Sequence, residues 1–218
     1  MPKSFASIST PVAPTAQAKS AVRSKTIART AQAPQEVRII GGTLRRRKLP
    51  VANKPGLRPT PDRVRETLFN WLGQDLSMWH CVDAFAGSGA LGFEAASRGA
   101  HSVLMFENDP QLVQSLQKSA LMFELTSVTI LRIDGLLALA QQAPASADLI
   151  FLDPPFDSDL LAKALPAAVR MLKAQAWLYV EAGTALSQDM AEGLGLTLYR
   201  QLKAGQVVAQ LYQKVVAD

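Results

Sequence analysis

VDAFAGSGALGFEAASRGAHSVLMFEND, residues 82–109, is the stretch whose reading decides the fold. A short apolar run ends at Asp83, and a loop of small residues follows: Ala86, Gly87, Ser88 and Gly89. A helical pattern then carries Leu91, Phe93 and Glu94 to Gly99, and a second apolar run over 103–106 ends at Glu107. Strand, glycine turn, helix and strand in that order open a doubly wound parallel sheet, whose ligand crevice lies at the carboxyl ends of the strands. Glycines, lacking Cβ, let backbone amides come close to a ligand. The start of the helix adds unpaired N–H groups and a partial positive charge.

The loop also fits the dinucleotide fingerprint, since Gly87, Gly89 and Gly92 are spaced G-x-G-x-x-G. Glu107, twenty positions after Gly87, stands where an acid binds ribose hydroxyls. Two cofactor classes therefore compete: nicotinamide or flavin dinucleotides, and S-adenosylmethionine. Asp83 favours the second, because a carboxylate beside the loop attracts a cationic amino-acid moiety and repels a pyrophosphate.

The 218 residues suffice for one α/β domain with a well-buried core and an appendage. No apolar run approaches the ~20 residues that cross a bilayer. The single Cys81 excludes an intramolecular disulfide and fits a reducing compartment, and with His80 and His101 it suggests no metal cluster. Charge is unevenly spread. Residues 1–65 hold 14 Lys/Arg against two acids, Glu36 and Asp62, whereas the rest holds 9 basic and 16 acidic residues. A basic front on an acidic body points to a polyanionic partner gripped by the N-terminal part.

Residues 1–35 are Ala, Ser, Thr, Pro, Gln and scattered Lys/Arg, with no acid and no apolar periodicity. Such a composition cannot offset its chain entropy, so a disordered basic tail is expected. A transit peptide shares the lack of acids, but Pro2, Pro11, Pro14 and Pro34 oppose its amphipathic helix. Order is expected from Glu36, with a hairpin and connector over 36–61 and the main domain over 62–218. The hairpin runs through 36–40 to Gly41-Gly42 and returns through Arg45, Arg46, Arg47 and Lys48 to 49–51. A basic block either guards a strand edge or grips phosphates. Three adjacent arginines just upstream of a second basic segment favour RNA or DNA, because guanidinium meets phosphate in a bidentate manner. Residues 56–61 form a stiff connector, with Thr60 as helix N-cap and Pro61 at the first helical position. Val64, Leu68, Trp71 and Leu72 predict a helix over 62–72. Arg58, Arg63 and Arg65 are expected near the mouth of the crevice.

Further on, a helix over 110–123 and a strand over 128–133 lead to Asp134, which either reaches an adenine amino group or caps the next helix. A strand over 148–152 ends in Asp153-Pro154-Pro155-Phe156. Two adjacent prolines cannot serve a central ladder, and they fix the backbone direction. They hold an acid and an aromatic beside the glycine loop, where a base needs a flat ring and an exocyclic amine needs acceptors. A helix over 159–172, a strand over 177–180 ending at Glu181, and two antiparallel strands over 196–202 and 206–216 complete the chain. The expected fold is α/β: a seven-stranded, Rossmann-like class I methyltransferase sheet with helices on both faces and a small N-terminal basic β-hairpin.

RIIGG at 38–42, RKLPV at 47–51, GLRPTPDRVRETLFNWL at 56–72, DAFAGSGALGFEAASRGA at 83–100, FLDPPF at 151–156, YVE at 179–181 and AGQV at 204–207 form an ordered series. Together they resemble the bacterial family that methylates N2 of guanine 966 in 16S ribosomal RNA. The resemblance implies S-adenosylmethionine as cofactor, held by Asp83, Phe85, Ala86, Gly87, Ser88, Gly89, Glu107, Asn108, Asp134 and Gly135. It implies a guanine held by Asp153, Pro154, Pro155 and Phe156. The basic residues Arg38, Arg45, Arg46, Arg47, Lys48, Arg58, Arg63 and Arg65 are the expected RNA contacts. The implied partner is 16S rRNA within a 30S subunit or assembly particle, met by a cytoplasmic monomer with no membrane and no metal.

Rival readings are an amino-methylating enzyme acting on DNA adenine or protein glutamine, and an RNA-binding assembly factor with a dead methyltransferase fold. The basic hairpin argues against a protein substrate. The lack of a separate DNA-reading domain argues against DNA, and intact acids at 83, 107 and 153 argue against inactivity.

Overall fold

The computed structural model describes residues 36–52, 54, 57, 59–156 and 158–215. The tail expected over 1–35 and Arg58 lie outside the described residues.

The chain enters through a small antiparallel hairpin, β1 (Glu36–Arg38) and β2 (Lys48–Pro50), with Val37 opposite Leu49. Alternation leaves only those two side chains buried in the pair, which is the period-2 pattern of a ribbon lying on a core. Strand pairing stops at Arg38 rather than at Ile40, because the chain then bends to give Ile40 and Gly41 N–H to a side chain of the main body.

The main sheet has seven strands: β3 (His80–Asp83), β4 (Ser102–Glu107), β5 (Val128–Arg132), β6 (Ala147–Leu152), β7 (Leu172–Ala182), β8 (Leu196–Ala204) and β9 (Val207–Lys214). Their order is β5-β4-β3-β6-β7-β9-β8; the first five are parallel, and β9 runs antiparallel to both its neighbours. The expected seven-stranded sheet with a closing hairpin is therefore present. Its centre is dry: Cys81 on β3 pairs with Val103 and Leu149 and is buried, as parallel strands covered on both faces require.

Among the described residues six helices cover the sheet: α1 (Asp62–Leu72), α2 (Ala90–Ser97), α3 (Pro110–Met122), α4 (Gly135–Gln141), α5 (Leu160–Met171) and α6 (Gln188–Gly193). One core joins Leu68 and Phe69 of α1, Leu91 and Phe93 of α2, Leu116 of α3 and the hairpin residues Val37 and Leu49. The other, on the opposite face, joins Leu139 of α4, Leu165 and Ala168 of α5 and Ala191 of α6.

Three details depart from the expected pattern. Thr60 does not cap α1; Pro61 is the N-cap, with ψ 145°, and no side chain bonds the first turn. β7 begins at Leu172, directly after α5, because its first residues pair irregularly with β6 around a register shift between Ala147 and Leu149. The six-residue α6, capped by the Ser187 hydroxyl, is too short to leave an apolar period in the sequence. Among the described residues no helix is long and apolar enough to cross a membrane, and no group of three His, Cys, Asp or Glu is placed to hold a metal.

Candidate active site

Sheet register alone brings three acids together. Asp83 lies opposite Phe151 in the β3–β6 ladder, and Leu152 lies opposite Val180 in the β6–β7 ladder. Asp83, Asp153 and Glu181 therefore stand at the carboxyl ends of three adjacent parallel strands and, by period 2, on the same face. Successive strands after β3 are laid down on opposite sides of it, β4 on one and β6 on the other, so this is the switch point where such sheets bind ligands.

The loop after β3 is held from below. Gly89 caps α2 at φ 79°, a left-handed conformation that glycine adopts without strain. A Cβ at Gly92 would come within 2.2 Å of the Met105 methyl, so the third fingerprint glycine lets α2 press on β4. Asp83 is buried, and its Oδ2 accepts the Gly92 N–H at 3.1 Å. Burial pushes its carboxyl up to about 7 against hydrogen bonds from the Gly92 and Phe85 amides, and the charges of Glu107 and Glu181 push the same way. Asp83 thus serves the floor of the loop first. Half-buried Glu107 joins two loops, taking the Gly87 N–H at 2.9 Å on one oxygen and the Asp109 N–H at 2.8 Å on the other. Each oxygen keeps a lone pair for a further donor. Asn108 beside it is exposed. Asp134 caps α4 by accepting from the Leu136 and Leu137 amides at 2.9 and 3.1 Å, and Gly135 lies so close to the loop that a Cβ there would meet the Ala84 carbonyl at 2.2 Å.

The Asp-Pro-Pro-Phe segment leaves β6 across from this loop. Pro154 is buried, Asp153 half-buried, and Pro155 and Phe156 exposed; the Ser158 hydroxyl ties the turn by donating to the Pro155 carbonyl at 2.6 Å. Phe156 is 42% exposed and flanked by Gly183, whose absent side chain leaves its ring uncovered. Beyond it lies a cavity of about 580 Å³ bounded by Pro154, Phe156, Glu181, Thr184 and Met190. Burial holds the Asp153 carboxyl well above the usual carboxylate range, with Glu181 and Asp83 adding to the effect and the Thr60 hydroxyl opposing it. Burial likewise raises Glu181, while the Tyr179 phenol (2.8 Å), the Thr60 hydroxyl and the charge of Arg65 work against it.

The expected RNA contacts divide into two groups. Arg38, Arg45, Arg46, Arg47, Lys48 and Arg63 are exposed; Arg47 lies 5.4 Å above the Phe123 ring, and Lys48 pairs with Glu36 at 2.8 Å. Arg65 is a correction. It is fully buried and donates to Glu94 (3.2 Å), Asp62 (2.6 Å) and the backbone carbonyls of Arg38 (2.8 Å) and Thr60 (3.2 Å). Position 65 falls on the apolar face of α1 with Val64, Leu68 and Phe69, so its guanidinium turns inward and cannot meet a phosphate.

A family model described as conserved hypothetical protein 95 matches residues 37–213. Ribosomal RNA small subunit methyltransferase D of Escherichia coli K12 is 40% identical over 184 residues, covering 82% of this chain and 90% of that protein. Its Haemophilus influenzae counterpart is 41% identical over 189 residues, covering 84% and 97%. The chain belongs to this family. The solved yhhF protein of Escherichia coli shares the fold at a TM-score of 0.72 and 36% identity, covering 83% of this chain and 98% of that one.

Within this family member, sequence reasoning missed Thr60, Tyr179 and Glu181 as parts of one acid cluster. Glu181 carried a visible signal, since it ends a strand on the crevice side. Thr60 carried none, because a Thr before Pro at a helix start reads first as a cap.

Proposed function

We propose that this methyltransferase D family member transfers a methyl group from S-adenosylmethionine to the exocyclic N2 of one guanine in 16S ribosomal RNA during small-subunit assembly. The observation that carries this reading is Asp153-Pro154-Pro155-Phe156 at the end of β6, beside the glycine loop and Glu107. The names of the relatives support ribosomal RNA as substrate.

The residues present fit the cofactor. Carboxyls at positions 83, 107, 153 and 181 surround the crevice, an environment that repels a pyrophosphate and suits a sulfonium bearing an ammonium group. Glu107 has lone pairs for ribose hydroxyls, and Asp134 and Phe85 flank the adjoining edge. When bound, the cofactor supplies an electrophilic methyl on a cationic sulfur.

Guanine N2 is a poor nucleophile because its lone pair delocalises into the ring. Asp153 and the Pro154 carbonyl accept hydrogen bonds from the amine and draw that lone pair out of conjugation, and in-line positioning supplies much of the acceleration. Asp153 takes up the proton released as the N–C bond forms. Phe156 replaces part of the stacking that the guanine loses on leaving its helix. The exposed hairpin arginines hold the RNA backbone.

The test is single-turnover methyl transfer onto 30S-like particles, with mass mapping of N2-methylguanine. Asp153→Ala should lower kcat while cofactor binding persists. Phe156→Ala should lose about 1–3 kcal/mol in kcat/KM, and Phe156→Tyr should retain most activity. Wild-type rates in all three variants would sink the assignment.

A further inference from the structure

AGQV at 204–207 has no part in the site described so far. It makes a two-residue turn between β8 and β9, where Gly205 takes φ 62°. Because Ala182 pairs with Val208, that turn stands at the carboxyl end of the sheet, on the same rim as Asp153 and Glu181. The strand leading to it, β8, is an edge of the sheet, and its residues 197–201 are exposed in succession. No acid lies between Glu192 and Asp218, whereas Arg200, Lys203 and Lys214 do, although the body after residue 65 is acidic as a whole. Lys214 donates to the carbonyls of Val169 and Leu172, at 2.9 and 2.8 Å. Among the described residues neither Arg200 nor Lys203 pairs with an acid.

A bulge shapes this edge. The β8–β9 register shifts between Leu198 and Arg200, so Tyr199 is the extra residue and joins Arg200 on one face instead of alternating with it. The Trp177 ring, half-buried against the core, lies 5.0 Å from the Tyr199 ring and is tilted 59° to it. The Arg200 guanidinium lies 4.4 Å above the Tyr199 ring. Tyr199 is 42% exposed, so indole, phenol and guanidinium form a ladder from the core out to solvent. Leu211 lies opposite both Tyr179 and Arg200, and Ala209 opposite both Glu181 and Leu202. Strand spacing and rise then set Arg200 about 12 Å from Glu181 along the backbone plane. Addition of a strand from another protein is disfavoured here, because a bulge interrupts the row of edge amides and Arg200 and Lys203 charge it. An aromatic ring carrying a guanidinium plane is instead what an unpaired base stacks on, and the positive charge complements the phosphates beside that base.

We infer that the Tyr199–Arg200 face of β8 is a second RNA surface, on which one unpaired base flanking the target guanine stacks, with Lys203 adding to the positive field. This rests on ribosomal RNA as the substrate proposed above. The basic hairpin lies against α2 and α3, beside β3, β4 and β5, whereas β8 is the opposite edge of the sheet. The RNA is then held on both sides of the crevice.

The test uses the full chain with 30S-like particles, measuring kcat, KM for the particle and affinity against salt for Tyr199→Ala, Tyr199→Phe, Arg200→Ala and Arg200→Lys. Tyr199→Ala should raise KM about 5- to 150-fold, the range of one base–aromatic stack, and the loss should fall in KM rather than in kcat. Tyr199→Phe should retain the KM of wild type. Arg200→Lys keeps the charge and loses the plane. It should therefore raise KM as Arg200→Ala does, while its slope of log affinity against log salt stays that of wild type. If Tyr199→Ala does not fold, the Arg200 pair decides alone. Wild-type KM in Tyr199→Ala and Arg200→Ala, or in Arg200→Lys, would overturn the inference. So would a wild type that sediments as a dimer split by Tyr199→Ala, which would give this face to a second copy. A wild type that moves no methyl to this RNA overturns the reaction and the inference with it; an active wild type with unaffected variants overturns the inference alone.

Discussion

The Arg65 guanidinium and the Glu94 carboxylate, neither with any accessible surface, meet at 3.2 Å between α1 and α2. Glu94 also accepts from Arg98 (2.9 Å) and from the backbone amides of Ile40 (2.9 Å) and Gly41 (2.7 Å). One carboxylate in the helix behind the glycine loop thereby anchors the hairpin, the connector helix and its own helix terminus.

Removing that anion leaves two buried guanidiniums without their partner, which costs about 3–5 kcal/mol. Glu94→Ala should show this loss in urea unfolding. Arg65→Ala should likewise lower the unfolding midpoint and weaken RNA binding only as far as the connector loosens. An Arg65→Ala protein of wild-type stability with a reduced salt slope for RNA would return Arg65 to the RNA surface.

The exposed arginines should behave in the opposite way. Replacing Arg45, Arg46 and Arg47 with Ala should leave the unfolding free energy within about 0.5 kcal/mol of wild type. The same change should reduce the slope of log affinity against log salt by about 2, for three lost contacts to single-stranded RNA. An unchanged slope would make the block a solvated edge.

Glu107→Ala should weaken S-adenosylmethionine by about 1–3 kcal/mol, the scale of hydrogen bonds to a charged group. Because the carboxylate also holds the Gly87 and Asp109 amides, the same variant should melt at a lower temperature. Calorimetry giving wild-type affinity in the folded variant would remove Glu107 from the cofactor site.

Asp83 makes stability depend on pH. Its carboxyl is raised from 3.8 to about 7 on folding, so across that window the native state keeps a proton that the unfolded chain releases. Stability is then fully present below the unfolded value, falls as pH rises, and levels off above the native value. Asp153 and Glu181 act in the same direction. Urea titrations on either side of the window should show the fall, and Asp83→Asn should reduce it. An equal fall in that variant would assign the effect to other groups.

The sheet was legible because its strands are apolar runs punctuated by acids and glycines, and α1 because two prolines mark its start. Thr60 and Arg65 were not legible for a common reason. Each is polar at a position where local rules give it a sufficient task, a cap or a solvated cation, and only packing against distant residues, Asp153 and Glu94, gives it another. Glu94 did leave a trace: it is the one charge in ALGFEAAS, a helix buried on every side. A buried acid demands a buried base, and Arg65 was on the right face of α1 to supply it. α6 and the early start of β7 left no trace, because six residues are too few for a period and an irregular ladder blurs the alternation.

Cys81 lies in β3, an inner strand of the sheet, is the sole cysteine of the chain, and has its thiol pushed far up by burial and by the nearby Asp148 charge. A thiol reagent can therefore modify the native protein only after β3 has lost a neighbour, since the chain holds no second thiol for fraying loops to expose. The rate at which one equivalent of reagent is consumed under native conditions is then a clock for the rarest opening of the molecule, and any ligand that clamps the strand ends should slow it.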